Sequence, residues 1–216
     1  MKNWIMEIIL QRILKQIEII YDDSMYSQNN DLYRIKDLIH SVDYNQILSK
    51  RWLITELLNI FNPIKNKHNL GEIPKFIIGG GWYGLMAYLL REKFENSLII
   101  NVDMDPVCLD IGSKIYHDQD IGFEQNDVVD YGIDCDIFVS TSVEHFDKDD
   151  FKFLLKSKPK HTICALQSND WEKIDSHTNC HKNLEDFINY LSLKEVLYKG
   201  EIKINNEYSR FSVIGW

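Results

Sequence analysis

The apolar positions of the chain first follow the spacing of helices. One stripe runs through residues 1–20 and consists of Ile9, Leu10, Ile13, Leu14, Ile17 and Ile20. Similar patterns cover Leu32–His40 and Tyr44–Phe61, and the second of these should end before Asn62-Pro63, because proline disfavours helix in the residue before it. The spacing therefore predicts about 60 residues of largely helical chain ahead of the first strand.

From Lys75 onward, short apolar runs alternate with helical patterns. The predicted strands are Lys75–Ile78, Ser97–Val102, Gly122–Val128, Asp136–Val139 and His161–Leu166. The predicted helices among and after them are Leu85–Leu90, Pro106–Tyr116, Lys148–Leu155 and Leu184–Leu193. This alternation indicates an α/β, Rossmann-like fold with a mostly parallel sheet and helices on both faces.

The last part of the chain breaks this alternation. Lys194–Ile204 and Tyr208–Trp216 alternate apolar and polar residues around Asn205-Asn206, which predicts an antiparallel C-terminal hairpin. We therefore divide the chain into a helical N-terminal extension, residues 1–74, which we expect to cap a cleft at the carboxyl ends of the strands, and a Rossmann-like domain, residues 75–216.

Charge and composition narrow the class of protein. The 216 residues carry a formal net charge of −9, whereas binding of a nucleic-acid backbone requires a face rich in lysine and arginine. A nucleic-acid partner is therefore not expected. No uncharged apolar run reaches the roughly 18 residues of a membrane span. The four cysteines form no CxxC pair, so we expect a reducing compartment, the cytoplasm.

A glycine-rich turn follows the first predicted strand and consists of Gly79, Gly80, Gly81, Trp82, Tyr83 and Gly84. In a G-x-G-x-x-G turn between a strand and a helix, the first glycine permits a tight turn and the second lets a ligand approach the backbone. The third lets the helix pack closely on the strand. The sequence therefore predicts a cofactor site here, the alternative being a structural turn without a ligand.

Polar residues follow the next two strands. Asp103 stands about 20 residues after Gly84, the position at which an acid binds ribose hydroxyls, and the alternative role of helix N-cap suits Asp105 better. Asn126 and Asp127 follow the third strand and could meet the adenine edge, or could be an ordinary polar strand end.

The segment after the fourth strand should border the reacting group, because ligands of open α/β sheets lie beyond the carboxyl ends of the strands. It contains Ser140, Thr141, Ser142, Glu144 and His145. Glu144 and His145 are candidate general bases, the alternative being a helix start and a packing residue. Residues past the fifth strand could line an acceptor pocket: Gln167, Asn169, Asp170 and Trp171.

A metal site is not expected from the sequence. His177, Cys180 and His181 lie close together, but they lack a second pair of ligands, so the spacing of a zinc site is incomplete. We interpret this segment as a loop.

Taken together, four segments resemble the class I S-adenosylmethionine-dependent methyltransferases: Phe76–Gly84, Asn101–Pro106, Asn126-Asp127 and Val139–Phe146. The resemblance spans residues 75–216, with its motifs in the first half. It implies a seven-stranded sheet with an antiparallel last strand, and S-adenosylmethionine as cofactor. Isoleucines, Ile77 and Ile78, stand where the family usually has an acidic residue ahead of the glycine turn.

The resemblance also implies roles for individual residues. Gly79, Gly81 and Gly84 would line the methionine end of the cofactor, Asp103 would hold the ribose, and Asn126 or Asp127 the adenine. The full set of predicted cofactor-binding residues is Gly79, Gly80, Gly81, Trp82, Tyr83, Gly84, Asp103, Met104, Asn126, Asp127, Ser140 and Thr141. The predicted catalytic residues are Glu144 and His145.

The expected activity is transfer of a methyl group to a small-molecule or otherwise undetermined acceptor. The Asn/Asp-Pro-Pro-Tyr signature of enzymes that methylate amino groups of nucleic acids is missing. The glycine turn and Asp103–Lys114 also resemble aminopropyltransferases, but the segment Ser140–His145 replaces their Asp-rich signature. A nicotinamide-dependent dehydrogenase has the same glycine pattern, although the chain leaves no residues for a substrate domain. A non-catalytic member of the fold is the remaining alternative.

Overall fold

A computed structural model describes residues 10–15, 17, 28–68, 70–204 and 206–216, and of residues 28–33 the backbone. Residues 10–15 and 17 are helical, as the first stripe predicts. Ile13 is buried there, whereas Leu10 and Leu14 are about half exposed. The predicted positions Ile9 and Ile20 lie outside the described residues.

Two long helices precede the sheet, α1 Gln28–Ser41 and α2 Tyr44–His68. The strands are β1 Lys75–Gly79, β2 Leu98–Asp103, β3 Gly122–Gln125, β4 Ile137–Ser140, β5 Ile163–Asn169, β6 Val196–Ile204 and β7 Tyr208–Gly215. The helices that accompany them are α3 Leu85–Arg91, α4 Pro106–Ile115, α5 Val128–Tyr131, α6 Lys148–Ser157 and α7 Leu184–Leu191. A short 3₁₀ turn, Val143–His145, follows β4.

These strands form one seven-stranded sheet in the order β3-β2-β1-β4-β5-β7-β6. The pairs among β1 to β5 are parallel, and β7 runs antiparallel to both β5 and β6. The predicted fold class is therefore confirmed, including the mostly parallel sheet and the antiparallel hairpin at its end.

Successive side chains of the strands point to opposite faces of the sheet and pack into two apolar cores, one on each face. In β1, Phe76 and Ile78 belong to the first core and Ile77 to the second. Helices α2, α3 and α4 contribute to the first core, while α5, α6 and α7 contribute to the second. Both faces are thus covered by helices, as parallel sheets require.

Helix α2 corrects one predicted boundary. The sequence predicts its end before Pro63, but the helix continues through Pro63 to His68. The proline removes one backbone donor, and burial of Ile64 in the same core as Leu57 holds the helix beyond it. Although α2 is 25 residues long, neither it nor another described helix has the apolar length to cross a bilayer.

The third strand is shorter than predicted. It ends at Gln125 rather than Val128, because Asp127 accepts a hydrogen bond from the Val129 N–H and caps the short helix α5. The sequence pattern did not predict α5, whose four residues are too few for a recognisable periodicity.

Candidate cofactor and acceptor site

The glycine turn connects β1 to α3 through three residues with left-handed backbone. Gly80 has φ +64°, Trp82 +51° and Gly84 +87°. The Gly84 N–H donates to the Gly81 carbonyl oxygen at 2.9 Å, which closes the turn. The sharp reversal therefore lies at Gly80 and not at Gly79, where the sequence placed it.

Close packing explains the other glycines of this turn. A Cβ atom on Gly79 would lie 2.9 Å from side-chain atoms of Phe138 and of Val128. On Gly81 it would lie 2.0 Å from Oδ1 of the buried Asn101. Gly81 thus makes room for an amide from β2, whereas the sequence pattern assigned that space to a ligand.

Asp103, at the end of β2, lies against the glycine turn. Its Oδ2 accepts from the Trp82 N–H at 2.7 Å and its Oδ1 accepts from the Asp105 N–H at 3.0 Å. Asp105 caps α4 by accepting from Val107 and Cys108 backbone N–H groups, which is the alternative role considered above. The carboxylate of Asp103 is therefore oriented by the backbone, and a carboxylate has lone pairs for further donors.

The remaining predicted adenine-side residues stand beside Asp103. The Asn126 N–H donates to the Asp103 carbonyl oxygen at 3.0 Å, and the Asn126 side chain is exposed. Met104 is 65% exposed, which is unusual for an apolar side chain. Asp127 lies next to them, but one of its oxygens is engaged as the helix cap.

Helix α1 also reaches this region. Arg34 forms an ion pair with Asp105 and donates to Cys108 Sγ at 3.4 Å. Burial raises the pKa of Asp37, and a hydrogen bond with the Trp82 side chain opposes this shift. Helix α1 therefore lies over the glycine turn, a position for which the sequence contains no short-range signal.

A polar pocket of about 70 Å³ opens beside the turn. The turn and the segment after β4 form two of its walls, and buried charged side chains of α2 and β7 complete it. Its lining includes Lys50, Gly80, Gly81, Trp82, Thr141, Ser142, Glu144, His145 and Arg210. The structure therefore brings the glycine turn together with both predicted catalytic residues.

Three charged side chains of this pocket are buried. Glu144 is 2%, Arg210 5% and Lys50 8% exposed. Arg210 Nη2 lies 3.5 Å from Glu144 Oε1, and Asn169 Nδ2 donates to the same oxygen at 2.6 Å. Arg210 Nη1 also donates to the Thr141 carbonyl oxygen at 2.9 Å. Burial and the nearby Arg210 charge lower the pKa of Lys50 to about 7.

Two histidines meet at the edge of this charged group. The ring centroids of His145 and His177 lie 4.5 Å apart, and the rings are perpendicular. His177 Nδ1 lies 2.7 Å from the Trp171 carbonyl oxygen. Desolvation lowers the pKa of His145, and the Glu144 charge opposes the shift.

The predicted acceptor-side residues divide into two groups, and Gln167 and Asn169 lie within β5 because the strand continues beyond Leu166 to Asn169. Gln167 donates to Ser212 Oγ at 2.8 Å, and Asp170 accepts from the Ser209 N–H at 2.7 Å, so both bond to β7. Asn169 instead holds Glu144, and Trp171 accepts from His177 through its carbonyl group. Among the predicted residues of β4, Ser140 is buried and its Oγ has no partner in the described part of the chain.

No protein-family model and no curated protein matches this chain. Solved structures do resemble it. The N-methyltransferase NodS from Bradyrhizobium japonicum gives a TM-score of 0.59 at 12% identity, over 81% of this chain and 98% of that one. A magnesium protoporphyrin IX methyltransferase from Synechocystis, solved with bound S-adenosylmethionine, gives 0.57 at 13% identity over 91% and 87%.

A third structure, an S-adenosylmethionine-dependent methyltransferase from Clostridium acetobutylicum, gives a TM-score of 0.54 at 15% identity, over 87% of this chain and 98% of that one. At these identities the likeness is one of fold. The chain therefore has the class I S-adenosylmethionine-dependent methyltransferase fold, as the resemblance of its motifs implied.

Proposed function

We propose that this chain, with its class I fold, is an S-adenosylmethionine-dependent methyltransferase that acts on a small-molecule or otherwise undetermined acceptor. One observation carries the proposal. The glycine turn and the oriented carboxylate of Asp103 lie at the carboxyl ends of β1 and β2, beside a pocket whose walls hold Glu144, His145 and Arg210.

The residues present are suited to S-adenosylmethionine over most of its length. Asp103 can accept from ribose hydroxyls, and the exposed side chain of Met104 offers an apolar surface to the adenine. The methionine end lacks its usual acidic partner, because Ile77 is buried within the sheet at that position. We assign the amino-acid end to Ser140 Oγ, which lies at the end of β4 and has no hydrogen-bond partner among the described residues.

S-adenosylmethionine supplies a methyl group on a positively charged sulfur. The chain itself mainly has to orient the acceptor and keep water away, since alignment accounts for much of the barrier reduction in such a displacement. Helices α1 and α2 serve this purpose by covering the glycine turn and pocket with Arg34, Asp37 and Lys50. In this proposal residues 1–74 act as a cap that helps to select the acceptor.

A general base is needed only when the acceptor must lose a proton. By position, Glu144 and His145 are the candidates, and Glu144 is the more constrained of the two because Asn169 and Arg210 hold its carboxylate. The Glu144→Gln and His145→Ala variants test this assignment. If both retain wild-type turnover, neither residue acts as a base.

The first experiment is calorimetry of the full chain with S-adenosylmethionine, its decarboxylated form and NAD. We expect binding of S-adenosylmethionine, weakened about 10- to 100-fold by Asp103→Ala, because a hydrogen bond to a charged group contributes roughly 1.5–3 kcal/mol. The exposed Asp130→Ala on α5 is the matched control and should bind normally.

The same titrations separate the alternatives. Tighter binding of the decarboxylated form would favour an aminopropyltransferase, and preference for NAD a dehydrogenase. No binding of any of the three ligands would favour a non-catalytic role. Release of S-adenosylhomocysteine in the presence of a panel of small-molecule acceptors then identifies the substrate.

A further inference from the structure

We propose that Glu144, His145 and His177 form a binding site for a divalent first-row transition-metal ion. The proposed methyl transfer does not require a metal ion, so this site is an addition to the proposed function. It depends only on these three side chains. The ligands come from two segments: Glu144 and His145 from the 3₁₀ turn after β4, and His177 from the loop between β5 and α7.

The potential ligand atoms of the three side chains lie close together. One potential ligand atom from each lies within 4.8 Å of the other two. Bonds from such ions to nitrogen and oxygen are about 2.0–2.2 Å, so ligand atoms on opposite sides of an ion are separated by at most about 4.4 Å. Closing the site around an ion would therefore come from rotation of the His145 and His177 side chains, because Asn169 and Arg210 hold the carboxylate of Glu144.

Glu144 provides an independent indication that a positive ligand belongs here. Its side chain is only 3% exposed, and its Oε1 is held by Asn169 and Arg210. Its Oε2 is buried and has no hydrogen-bond partner among the described residues. An unpaired buried carboxylate oxygen is unfavourable, and a bound cation removes that penalty.

The surroundings of His177 are those of a metal ligand. Because its Nδ1 lies 2.7 Å from the Trp171 carbonyl oxygen, Nδ1 carries the proton and donates it in that hydrogen bond. The other ring nitrogen, Nε2, is then left with its lone pair, as in a metal-binding histidine oriented by a backbone carbonyl. Asn169 plays the corresponding orienting role for Glu144.

The donor set defines the class of ion. Two imidazoles and one carboxylate suit zinc, iron, cobalt, nickel or manganese, whereas magnesium and calcium prefer all-oxygen sites. Three protein ligands leave further coordination positions for water or for an oxygen atom of an acceptor. Glu144 and His145 would then act as ligands of the ion and not as proton acceptors.

Cobalt(II) is the probe, because its visible absorption reports the coordination of the ion. The full chain, freed of metal with a chelator, is titrated with Co²⁺ alone. We expect saturation at one equivalent, with bands that zinc abolishes by competition. His177→Ala and His145→Ala should each weaken Co²⁺ binding by more than the roughly 10- to 100-fold that loss of an outer-shell partner alone causes.

His117→Ala is the matched control, because His117 Nδ1 also lies 3.0 Å from a backbone carbonyl oxygen, that of Lys114, on an exposed surface. It should bind Co²⁺ as the wild type does. Circular dichroism and the melting temperature check that each variant folds. Absence of a one-equivalent signal, or a signal that survives both ligand substitutions in folded protein, would overturn the metal site.

Calorimetry with S-adenosylmethionine on the metal-free protein keeps the two proposals apart. Cofactor binding without a histidine-dependent Co²⁺ signal contradicts the metal site alone. A histidine-dependent Co²⁺ signal without cofactor binding contradicts the proposed function alone.

Discussion

His181, in the loop between β5 and α7, makes the stability of the fold sensitive to acid. The side chain is 4% exposed and packs against the rings of Phe187 and Tyr190. Burial lowers the pKa of His181 from 6.5 to about 4, although the charge of Asp186 opposes the shift. Below pH 6.5, His181 is therefore protonated in the unfolded chain but stays neutral in the folded chain. The free energy of unfolding falls as the pH drops toward 4.

The size of this effect follows from the shift itself. A difference of one pKa unit corresponds to 1.36 kcal/mol, so the full loss is about 3 kcal/mol. Between pH 7 and pH 4.5 it is about 2 kcal/mol, a substantial part of the roughly 5–15 kcal/mol that holds a typical domain together.

Urea unfolding at pH 7 and at pH 4.5 measures this loss directly. His181→Leu has a similar volume and cannot be protonated, so its loss of stability between the two pH values should be smaller than that of the wild type by about 2 kcal/mol. The exposed His161→Leu is the control and should retain the wild-type difference. Equal losses in the wild type and in His181→Leu would refute the argument.

Three further substitutions test the packing of the site. Gly81→Ala should reduce cofactor affinity and destabilise the fold by about 1–3 kcal/mol, because its Cβ would lie 2.0 Å from Asn101 Oδ1; calorimetry and urea unfolding measure the two effects. Arg210→Met should lower the free energy of unfolding in urea by about 3–5 kcal/mol, because it leaves Glu144 buried without its cation. Adding Glu144→Gln should recover part of that loss. Lys50→Met should raise the melting temperature at pH 7, because it removes a buried ammonium group whose pKa burial lowers to about 7.

Each of these has its own contradicting result. Gly71→Ala is the control for the glycine turn, since its Cβ would make only an ordinary contact at 3.7 Å. If Gly81→Ala lowers the free energy of unfolding no more than Gly71→Ala does, the argument from packing is wrong. An Arg210→Met, Glu144→Gln double variant as unstable as the sum of its single variants would show that the two side chains are not coupled. A lower melting temperature for Lys50→Met would show that the ammonium group stabilises the pocket.

The sequence predicted the sheet well because its signals are local. The apolar run at β1, the glycine turn and the polar residues after each strand all occur within a few positions of the structure they specify. The position of Asp103 was also predictable from local signals, because both the end of β2 and the spacing from the glycine turn can be read from the sequence. Helix α2 is the exception, since a buried Ile64 outweighed Pro63 through contacts that no local pattern contains.

The pocket was predicted only in part, for the opposite reason. Glu144 and His145 follow a strand and were found by position, but Lys50 and Arg210 come from α2 and β7 and reach the pocket only after folding. His177 comes from a loop and contacts His145 at the edge of the pocket. In the sequence, the segment considered and rejected as a metal site contains His177, Cys180 and His181. The structure instead places His177 against Glu144 and His145, a set of ligands that lies in two separate segments.

The position of β7 has a consequence for how the protein folds. Because β7 lies between β5 and β6, the whole length of β5 presents an unpaired edge until β7 is inserted. That edge consists of buried residues, so it is a template for pairing with another chain while it stays open. Arg210 lies on β7, so pairing of β7 with β5 both covers this edge and brings Arg210 next to Glu144. Refolding at high protein concentration should therefore lose molecules to association before the pocket is complete, and conditions that speed the insertion of β7 should improve the yield of functional protein.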